Sequence, residues 1–370
     1  MGLIVIRVLQ VTSKLFRGGA EAFIMNVYRN IDRSKMQFDF LVFHAGREYF
    51  EDEIEALGGR IFHVPIMEKA NILRRKDMLD AFFRAHHDYE AVHCHMAALG
   101  RDCLLAAAKY GIDKRISHSH IADFERTPRN YVKQAFQRGF GDYATRRLAC
   151  SEAAGQFMYR CNDFEVINNG IDIDHFTFEH EKRATFRKSL GFCESDRLIG
   201  HVGRFELMKN HAYLIDVFDA LCKFDKSSYL LLAGEGSLLG EIEDKVEVLD
   251  LSGRVRFLGL VDDMPSFYDG IDCFIMPSLF EGLPFSAVEA QCSGLPCVLS
   301  SAITEEVAIT SLVEYLNLDA GLESWAAAIE DNLLRNASYT GSRVGFSQAV
   351  GAAGYDIKAV AAKLTQLYLS

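Results

Sequence analysis

Short apolar runs alternate with helical segments along nearly the whole chain, and this alternation restricts the fold more than any other feature. Strands that alternate with helices predict a parallel, doubly wound α/β sheet. The first half follows this pattern to about residue 170. Its predicted strands are 3–11, 38–43, 60–64, 91–94, 115–118 and 148–150. Its predicted helices are one that ends near Arg29 and, after it, 49–57, 76–86, 98–110, 128–141 and 152–160.

The same alternation resumes after a turn signal at 168–172, where two asparagines precede Gly170. A chain of 370 residues is too long for one ordinary core, so two domains are expected, 1–170 and 171–354. The pattern weakens after Ser300, and a last helix is expected within 355–370. The predicted strands of the second half are 198–202, 229–233, 254–258, 272–276 and 297–300.

The net charge, the cysteines and the length of the apolar runs argue against several classes of protein. A formal net charge of −11 argues against a generic nucleic-acid binder. Nine cysteines without a C-x-x-C pair indicate reduced, mostly buried thiols in a cytoplasmic chain. No apolar run approaches the length of a membrane span, and residues 1–12 are expected to form a strand and not a signal peptide.

Two glutamates, Glu281 and Glu289, lie in the stretch 277–298, which is predicted to form the end of a strand, a loop, a helix and the start of another strand. Glu281 falls in the loop at the carboxyl end of a strand, where open α/β sheets bind ligands, and the apolar loop offers it no structural task. Glu289 falls near the helix start, where free N–H groups attract phosphate. Ser286 and Glu289 also fit a capping box, which would make Glu289 structural, although Pro284 suits an earlier helix start.

Two cations follow the first strand of the second half. Arg204 and Lys209 come after Gly203, at a strand end that suits a diphosphate, although two solvated loop cations would look the same. After the next strand, Gly234 and Gly236 approach a dinucleotide fingerprint, but Gly240 comes one residue late. A plain turn near a nucleotide fits these glycines better than a nicotinamide site.

In the first half, Gly18 and Gly19 lie between a strand and a helix, which favours either close approach to a ligand or a loop with positive φ. Histidines are paired at 86–87, 93 and 95, and 118 and 120. No carboxylate or cysteine spacing completes a ligand set, so a metal is not expected. The last two pairs fall at strand ends, where a histidine can contact a substrate.

A basic and aromatic stretch covers residues 126–150. It indicates either a surface for anionic lipid or a solvated basic face with aromatic core contacts, and the sequence does not separate the two. Its cations are Arg126, Arg129, Lys133, Arg138, Arg146 and Arg147, interleaved with Tyr131, Phe136, Phe140 and Tyr143.

Together these motifs resemble the retaining GT-B glycosyltransferases of family 4, of the type that builds capsule, exopolysaccharide or O-antigen chains in bacteria. The resemblance covers nearly the whole chain. In the second half it rests on Arg204 with Lys209, Gly234 with Gly236, and Glu281 with Glu289 inside PSLFEGLPFSAVEA. In the first half it rests on residues 18–21, 118–120, 149–152 and 169–172.

The resemblance implies two facing Rossmann-like domains with a cleft between them. The N-terminal domain would bind the acceptor, with the final helix packed back on it, and the C-terminal domain would bind the donor. The implied catalytic residues are His120, Arg204, Lys209 and Glu281. The implied donor-binding residues are Gly18, Gly19, Gly203, Arg204, Lys209, Gly234, Leu260, Glu281, Gly282, Leu283, Phe285, Ser286 and Glu289, and those on the acceptor side are His95, His118 and His120.

The implied activity is metal-independent transfer of a sugar, with retention, from a nucleotide-sugar, UDP- in preference to GDP-. The implied acceptor is a lipid-linked or oligosaccharide molecule at the inner face of the membrane. No cofactor, no metal and no nucleic-acid partner are expected. The alternatives are a non-catalytic nucleotide-sugar binding protein of the same fold and, less favoured, a nicotinamide oxidoreductase.

Overall fold

The computed structural model describes residues 5–68, 71–97, 99–122, 137, 139–339 and 343–370. The chain divides into two compact units. The N-terminal unit comprises Met1–Gly170 and Asp356–Ser370, and the C-terminal unit comprises Ile171–Tyr355.

The secondary structure alternates between strands and helices. The strands are β1 Ile6–Thr12, β2 Met36–Val42, β3 Ile61–His63, β4 Ala91–Cys94, β5 Lys114–Ser119, β6 Arg146–Ala149, β7 Glu165–Val166, β8 Arg197–Val202, β9 Ser228–Ala233, β10 Val255–Gly259, β11 Cys273–Met276, β12 Cys297–Ser300 and β13 Val313–Leu316. The helices are α1 Gly19–Asn30, α2 Glu51–Ala56, α3 Arg75–Ala85, α4 Gly100–Lys109, α5 Glu152–Tyr159, α6 His180–Ser189, α7 His211–Cys222, α8 Leu239–Val248, α9 Met264–Gly270, α10 Phe285–Cys292, α11 Leu322–Tyr339, α12 Phe346–Val350 and α13 Ile357–Leu369.

The N-terminal unit is built on a parallel sheet with the strand order β3-β2-β1-β4-β5-β6-β7. The order reverses between β1 and β4, where Gln10 lies opposite His93. Helix α13 packs against α1 within this unit. It begins two residues later than the lower bound expected from the sequence, because the Asp356 side chain accepts a hydrogen bond from the Lys358 N–H and caps the helix.

The C-terminal unit repeats the arrangement, with the parallel strand order β10-β9-β8-β11-β12-β13. Its strands β8 and β9 and helices α7 and α11 share a buried apolar cluster that includes Trp325. The predicted parallel, doubly wound organisation is therefore confirmed in both units. Strand β13 was not predicted, because Val313–Leu316 is a half-buried edge strand without a clear apolar run. The predicted helix 128–141 lies almost entirely outside the described residues.

A buried ionic cluster ties α6 to β11 in the C-terminal unit. Asp272 accepts hydrogen bonds from Arg183 at 2.8 Å and from Arg187 at 3.2 Å, and also from the Leu198 N–H at 2.8 Å. Both arginines are buried, so their charges are removed from water and need the carboxylate. The cluster holds helix α6, which carries both arginines, against strands β8 and β11.

We predict that Asp272→Asn destabilises the C-terminal unit by about 3 kcal/mol, because two buried guanidinium groups lose their buried counter-charge and are left with the exposed Glu194. Trp325, the one tryptophan of the chain, lies in this unit, so its fluorescence during urea unfolding reports on it. The matched control is Asp219→Asn, whose carboxylate lies 3.7 Å from the exposed Lys223 and should change stability by less than about 1 kcal/mol. Equal unfolding midpoints for the two variants would contradict the prediction.

Candidate active site

The loops that follow β8 and β11 lie side by side at the strand-order reversal of the C-terminal unit. Parallel pairing places Ile199 opposite Cys273 and directs both loops from the same edge of the sheet. The Leu279 N–H donates to the Met208 carbonyl at 2.8 Å, and the Asn210 side chain donates to the Pro277 carbonyl at 3.1 Å. This edge of an open α/β sheet is where ligands bind.

An ion pair joins these two loops. Lys209 Nζ lies 2.5 Å from Glu281 Oε1, and the two side chains are only 15% and 11% exposed. Glu281 also forms an isolated parallel bridge with Ile303. The expectation that the loop gives Glu281 no structural task is therefore wrong. The local sequence could not indicate this partner, because Lys209 belongs to the other loop.

Gly203 and His201 shape the start of the loop that carries Arg204, whose side chain is exposed. A Cβ atom on Gly203 would lie 3.0 Å from both His201 Nε2 and Lys209 Cδ, so a larger residue would displace one of them. The His201 Nδ1–H donates to the Ile275 carbonyl at 2.8 Å. Burial lowers the pKa of His201 to about 4, so the ring is neutral and adds no charge beside Arg204 and Lys209.

The glycines after β9 allow a third loop to pack against the Arg204 loop. Gly234 has φ of 143°, and a Cβ atom there would lie 2.1 Å from the Gly203 carbonyl oxygen. A Cβ atom on Gly236 would lie 2.5 Å from the Phe205 carbonyl oxygen. Gly240, in contrast, lies in open space. Loop packing thus accounts for the two glycines that approached a dinucleotide fingerprint.

The start of α10 does not form the capping box, one of the two alternatives for Ser286 and Glu289. The helix begins at Phe285 after Pro284, and no side chain caps it. Ser286 is already inside the helix, where its hydroxyl cannot occupy the capping position. The first intrahelical bond runs from the Ala287 N–H to the Pro284 carbonyl at 3.2 Å, so the N–H groups of Phe285 and Ser286 precede it. Such N–H groups can bind an anion.

Glu289 accepts a hydrogen bond at 2.8 Å from the hydroxyl of Tyr268, a residue of α9 that the sequence analysis missed. Burial raises the pKa of Glu289 to about 7, and the Tyr268 hydroxyl bond opposes this shift. No motif marked Tyr268, and its spacing on α9 alone could not indicate which residue it contacts. Glu289 can therefore accept hydrogen bonds as a carboxylate or donate one as an acid near neutral pH.

We predict that Glu289→Gln makes the C-terminal unit more stable than in the natural chain, and that this difference in the free energy of unfolding grows as the pH rises from 4.5 to 7. In this range the folded state keeps a proton that the unfolded state has lost, so a higher pH favours unfolding of the natural chain. The expected gain is roughly 3 kcal/mol at pH 8, because the pKa rises from 4.5 to about 7 and each pH unit is worth about 1.4 kcal/mol. It is measured by urea unfolding followed through Trp325 fluorescence. Glu247→Gln, at an exposed position of α8, controls for the change of net charge. A constant difference across this pH range would contradict the prediction.

The remaining predicted donor residues lie in or near these loops. Gly282 is half-buried and Leu283 is buried between Glu281 and α10, and Leu260 follows β10 with 51% of its surface exposed. Contact of Leu260 with a nucleotide base, and of the backbone at 283–286 with a sugar or phosphate, stay predictions.

In the N-terminal unit, four histidines lie together at the strand-order reversal. His93 Nε2 lies 3.1 Å from His118 Nδ1, and His95 Nδ1 lies 2.9 Å from His120 Nε2. Phe23 of α1 packs edge-on against His118 with ring centroids 5.1 Å apart. The sequence placed these histidines at strand ends but could not pair them across β4 and β5.

The cluster has the spacing of a possible metal site. Donor atoms of His93, His95 and His118 lie within 4.8 Å of one another. Neutral imidazole nitrogen is a good ligand for zinc, although among the described residues no carboxylate or cysteine joins this set. The expected absence of a metal stays a prediction.

The glycine pair before α1 has a local explanation at one position. Gly18 is the N-cap residue, and a Cβ atom there would lie 2.3 Å from Glu21 Oε2. Glu21 is itself buried and accepts a hydrogen bond from the Thr12 hydroxyl at 3.2 Å. Gly19 lies in open space, so ligand contact there stays a prediction.

Part of the basic and aromatic stretch, residues 126–150, lies outside the residues that the structure describes. Arg126, Arg129, Tyr131, Lys133, Phe136 and Arg138 lie outside the described residues. Of the remainder, Phe140 is a core residue and Arg147 pairs with Asp163 at 3.0 Å, as expected for a basic face with aromatic core contacts. In the part of the chain that the structure describes, no helix combines the length and apolarity needed to cross a membrane.

Comparison with known proteins assigns the family. Residues 17–175 match the model of Glycosyltransferase Family 4, and residues 182–337 match that of Glycosyl transferases group 1. The chain is 37% identical over 333 residues to EpsF of Bacillus subtilis, which is named as a glycosyltransferase, and the match covers 87% of this chain and 86% of EpsF.

A second relative is the UDP-Gal:α-D-GlcNAc-diphosphoundecaprenol α-1,3-galactosyltransferase of Escherichia coli, 26% identical with 78% of each chain covered. Among solved structures, HepE of Anabaena in complex with UDP and glucose has a TM-score of 0.82 at 18% identity, and the match covers 99% of this chain and 100% of HepE. The resemblance inferred from the sequence is confirmed, and the chain belongs to the family 4 glycosyltransferases, with the two-domain GT-B fold built from Rossmann-like domains.

Proposed function

We propose that this glycosyltransferase moves a sugar from a UDP-sugar to a lipid-linked or oligosaccharide acceptor in bacterial surface polysaccharide synthesis, with retention and without a metal. The observation that carries the proposal is the pairing of Lys209 with Glu281 at the ligand edge of the C-terminal sheet, between the Arg204 loop and the start of α10. The UDP in HepE and the UDP-galactose and diphosphoundecaprenol acceptor in the name of the E. coli relative support the choice of donor and acceptor.

The proposed role of the cations follows from the charge on the leaving group. When the bond between the sugar and the nucleotide breaks, negative charge builds up on the diphosphate. Arg204 can bind it with a planar pair of N–H donors, and Lys209 can contribute a compact positive charge. The N–H groups at the start of α10 add a third positive field. Fixed positive groups of this kind lower the barrier because they need no rearrangement during the reaction.

The proposed role of Glu281 is to position Lys209 and to bind the donor sugar. Its carboxylate has further acceptor capacity beside the ion pair, which a sugar hydroxyl can use. We assign Glu289 to the ribose hydroxyls and His120 to the acceptor side. The anomeric configuration of the sugar would be retained if the acceptor hydroxyl attacks the same face that the diphosphate leaves. A diphosphate oxygen would take the proton of the acceptor hydroxyl.

We expect Arg204→Ala and Glu281→Ala each to lower kcat/KM for transfer from the preferred UDP-sugar by 10²-fold or more, since each removes a group that acts on the developing charge or its cation. Mass detection of the glycosylated acceptor measures the rate, with and without EDTA, and NMR of the product gives its anomeric configuration. Arg256→Ala, at an exposed cation of β10, is the matched control and should leave the rate within twofold. Near-natural rates for either site variant, or loss of activity in EDTA, would contradict the corresponding part of the proposal.

The second candidate is a non-catalytic nucleotide-sugar binding protein, and the same assay separates it. Such a protein would show UDP-dependent thermal stabilisation, weakened by Arg204→Ala, with no transfer to any acceptor. The presence of Arg204, Lys209, Glu281 and Glu289 together in the C-terminal unit favours the enzyme, since binding alone does not require all four.

The lipid part of the acceptor proposal has its own test. We expect a diphospholipid-linked monosaccharide to be a better acceptor than the same free sugar by at least tenfold in kcat/KM, because a membrane-bound acceptor matches the basic residues of 126–150. Both acceptors are compared with the same UDP-sugar, in detergent and in vesicles of anionic lipid. Equal use of the two acceptors in both settings would contradict a lipid-linked substrate and leave the donor assignment intact.

A further inference from the structure

The four clustered histidines of the N-terminal unit are connected through two polar residues from distant parts of the chain. Gln10 of β1 lies beside His95, and Tyr368 of α13 lies beside His93. Burial lowers the pKa of His93, His95 and His118 well below the usual value of 6.5, and that of His120 to about 4. Each ring is therefore neutral near pH 7 and carries one N–H and one bare nitrogen.

The first chain of hydrogen bonds runs from Gln10 to His120. His95 Nε2 lies 2.9 Å from Gln10 Oε1, which can only accept, so His95 carries its proton on Nε2. The bare His95 Nδ1 must then accept from His120 Nε2 at 2.9 Å. This leaves His120 Nδ1 bare, and that buried atom has no hydrogen-bond partner among the described residues.

The second chain runs from Gln10 through Tyr368 to His118. Gln10 Nε2 lies 3.4 Å from the Tyr368 hydroxyl oxygen and can only donate. The hydroxyl then donates to His93 Nδ1 at 2.6 Å, which puts the His93 proton on Nε2. His93 Nε2–H donates to His118 Nδ1 at 3.1 Å, so His118 carries its proton on Nε2. That nitrogen is also buried without a partner within the described ranges.

We infer that Gln10 and Tyr368 are positioning residues that hold all four histidines in the Nε2–H form, so that His118 presents a hydrogen-bond donor and His120 an acceptor. A ligand hydroxyl placed against both could accept from His118 and donate to His120. The tautomers follow from geometry alone, while their use in binding an acceptor or sugar hydroxyl rests on the proposed function.

The distances favour this direction over its reverse. If the Gln10 amide were turned round, both chains would reverse and all four rings would carry the proton on Nδ1. The 2.6 Å contact would then be an N–H donating to a phenol oxygen, and the phenol would donate across 3.4 Å. A distance of 2.6 Å is typical of an O–H donor and short for an N–H donor, so the phenol is the donor to His93.

The network also competes with metal binding. A metal on His93, His95 and His118 would need a bare nitrogen from each ring in place of the hydrogen bonds that now use them. Both nitrogens of His93 and of His95 already have partners in the two chains. Stoichiometric zinc in the cluster would therefore exclude the proposed tautomers.

The test is NMR of the full chain with ¹⁵N-labelled histidine rings, since long-range ¹H–¹⁵N spectra distinguish the two tautomers. Single His→Gln variants assign the four signals. We expect all four rings in the Nε2–H form. Tyr368→Phe should convert His93 and His118 to a mixture of tautomers and leave His95 and His120 unchanged, because it frees only the second chain. Gln10→Met should convert His95 and His120 to a mixture of tautomers and leave His93 and His118 unchanged, because the Tyr368 hydroxyl still donates to His93.

Tyr159→Phe is the matched control, since it removes another tyrosine hydroxyl of the same unit, half-buried and bonded to Ser117 and Leu148, and should leave all four tautomers unchanged. Rings in the Nδ1–H form, an unchanged His93–His118 pair in Tyr368→Phe, or one equivalent of zinc that His93→Gln removes would each overturn the inference. The spectra require no turnover, so failure of sugar transfer and failure of this inference give separate results.

Discussion

Parallel pairing of β8 with β11 is the constraint on which the candidate active site depends. It brings together two loops that are far apart in sequence, and Lys209 can reach Glu281 only because both loops leave the same edge of the sheet. A backbone hydrogen bond from the Leu279 N–H to the Met208 carbonyl then holds the loops in contact, so the ion pair is confined to one geometry. A lysine without such a partner would lose much of its side-chain conformational entropy on binding an anion. Because the ion pair already restricts the Lys209 side chain in the folded protein, part of this entropy is lost before any anion binds.

The strand-order reversals of the two units hold side chains of different chemical character. In the C-terminal unit the histidines beside the cations are neutral, since burial lowers the pKa of His201 to about 4 and that of His211 to about 2. The positive charge thus comes from Arg204 and Lys209 and not from these histidines, and Glu281 is the counter-charge of Lys209. In the N-terminal unit the corresponding position holds neutral imidazoles in a hydrogen-bonded network. Such a cluster suits hydroxyl groups, which need directed donors and acceptors more than charge.

Much of the fold could be predicted from the sequence because it is encoded locally. Central parallel strands such as β9 and β11 are buried on both faces and therefore read as continuous apolar runs. The edge strand β13 is half-buried, lacks that run and was missed. Of the site, the residue types were visible as Arg204, Lys209 and the two glutamates, since each follows a predicted strand or starts a predicted helix.

The partners of those residues could not be predicted, because each depends on how distant strands and helices pack. Glu281 looked unpartnered and Glu289 fitted either a helix cap or a ligand contact, yet one pairs with Lys209 and the other accepts a hydrogen bond from Tyr268. The case of Gln10 is more extreme, since its hydroxyl partner Tyr368 lies 358 positions away, on the helix that packs against α1. Local pattern shows which residues can do chemistry, whereas packing decides their charge and proton positions. The protonation of His118 and His120 is therefore a property of the folded N-terminal unit and not of the motif that contains them.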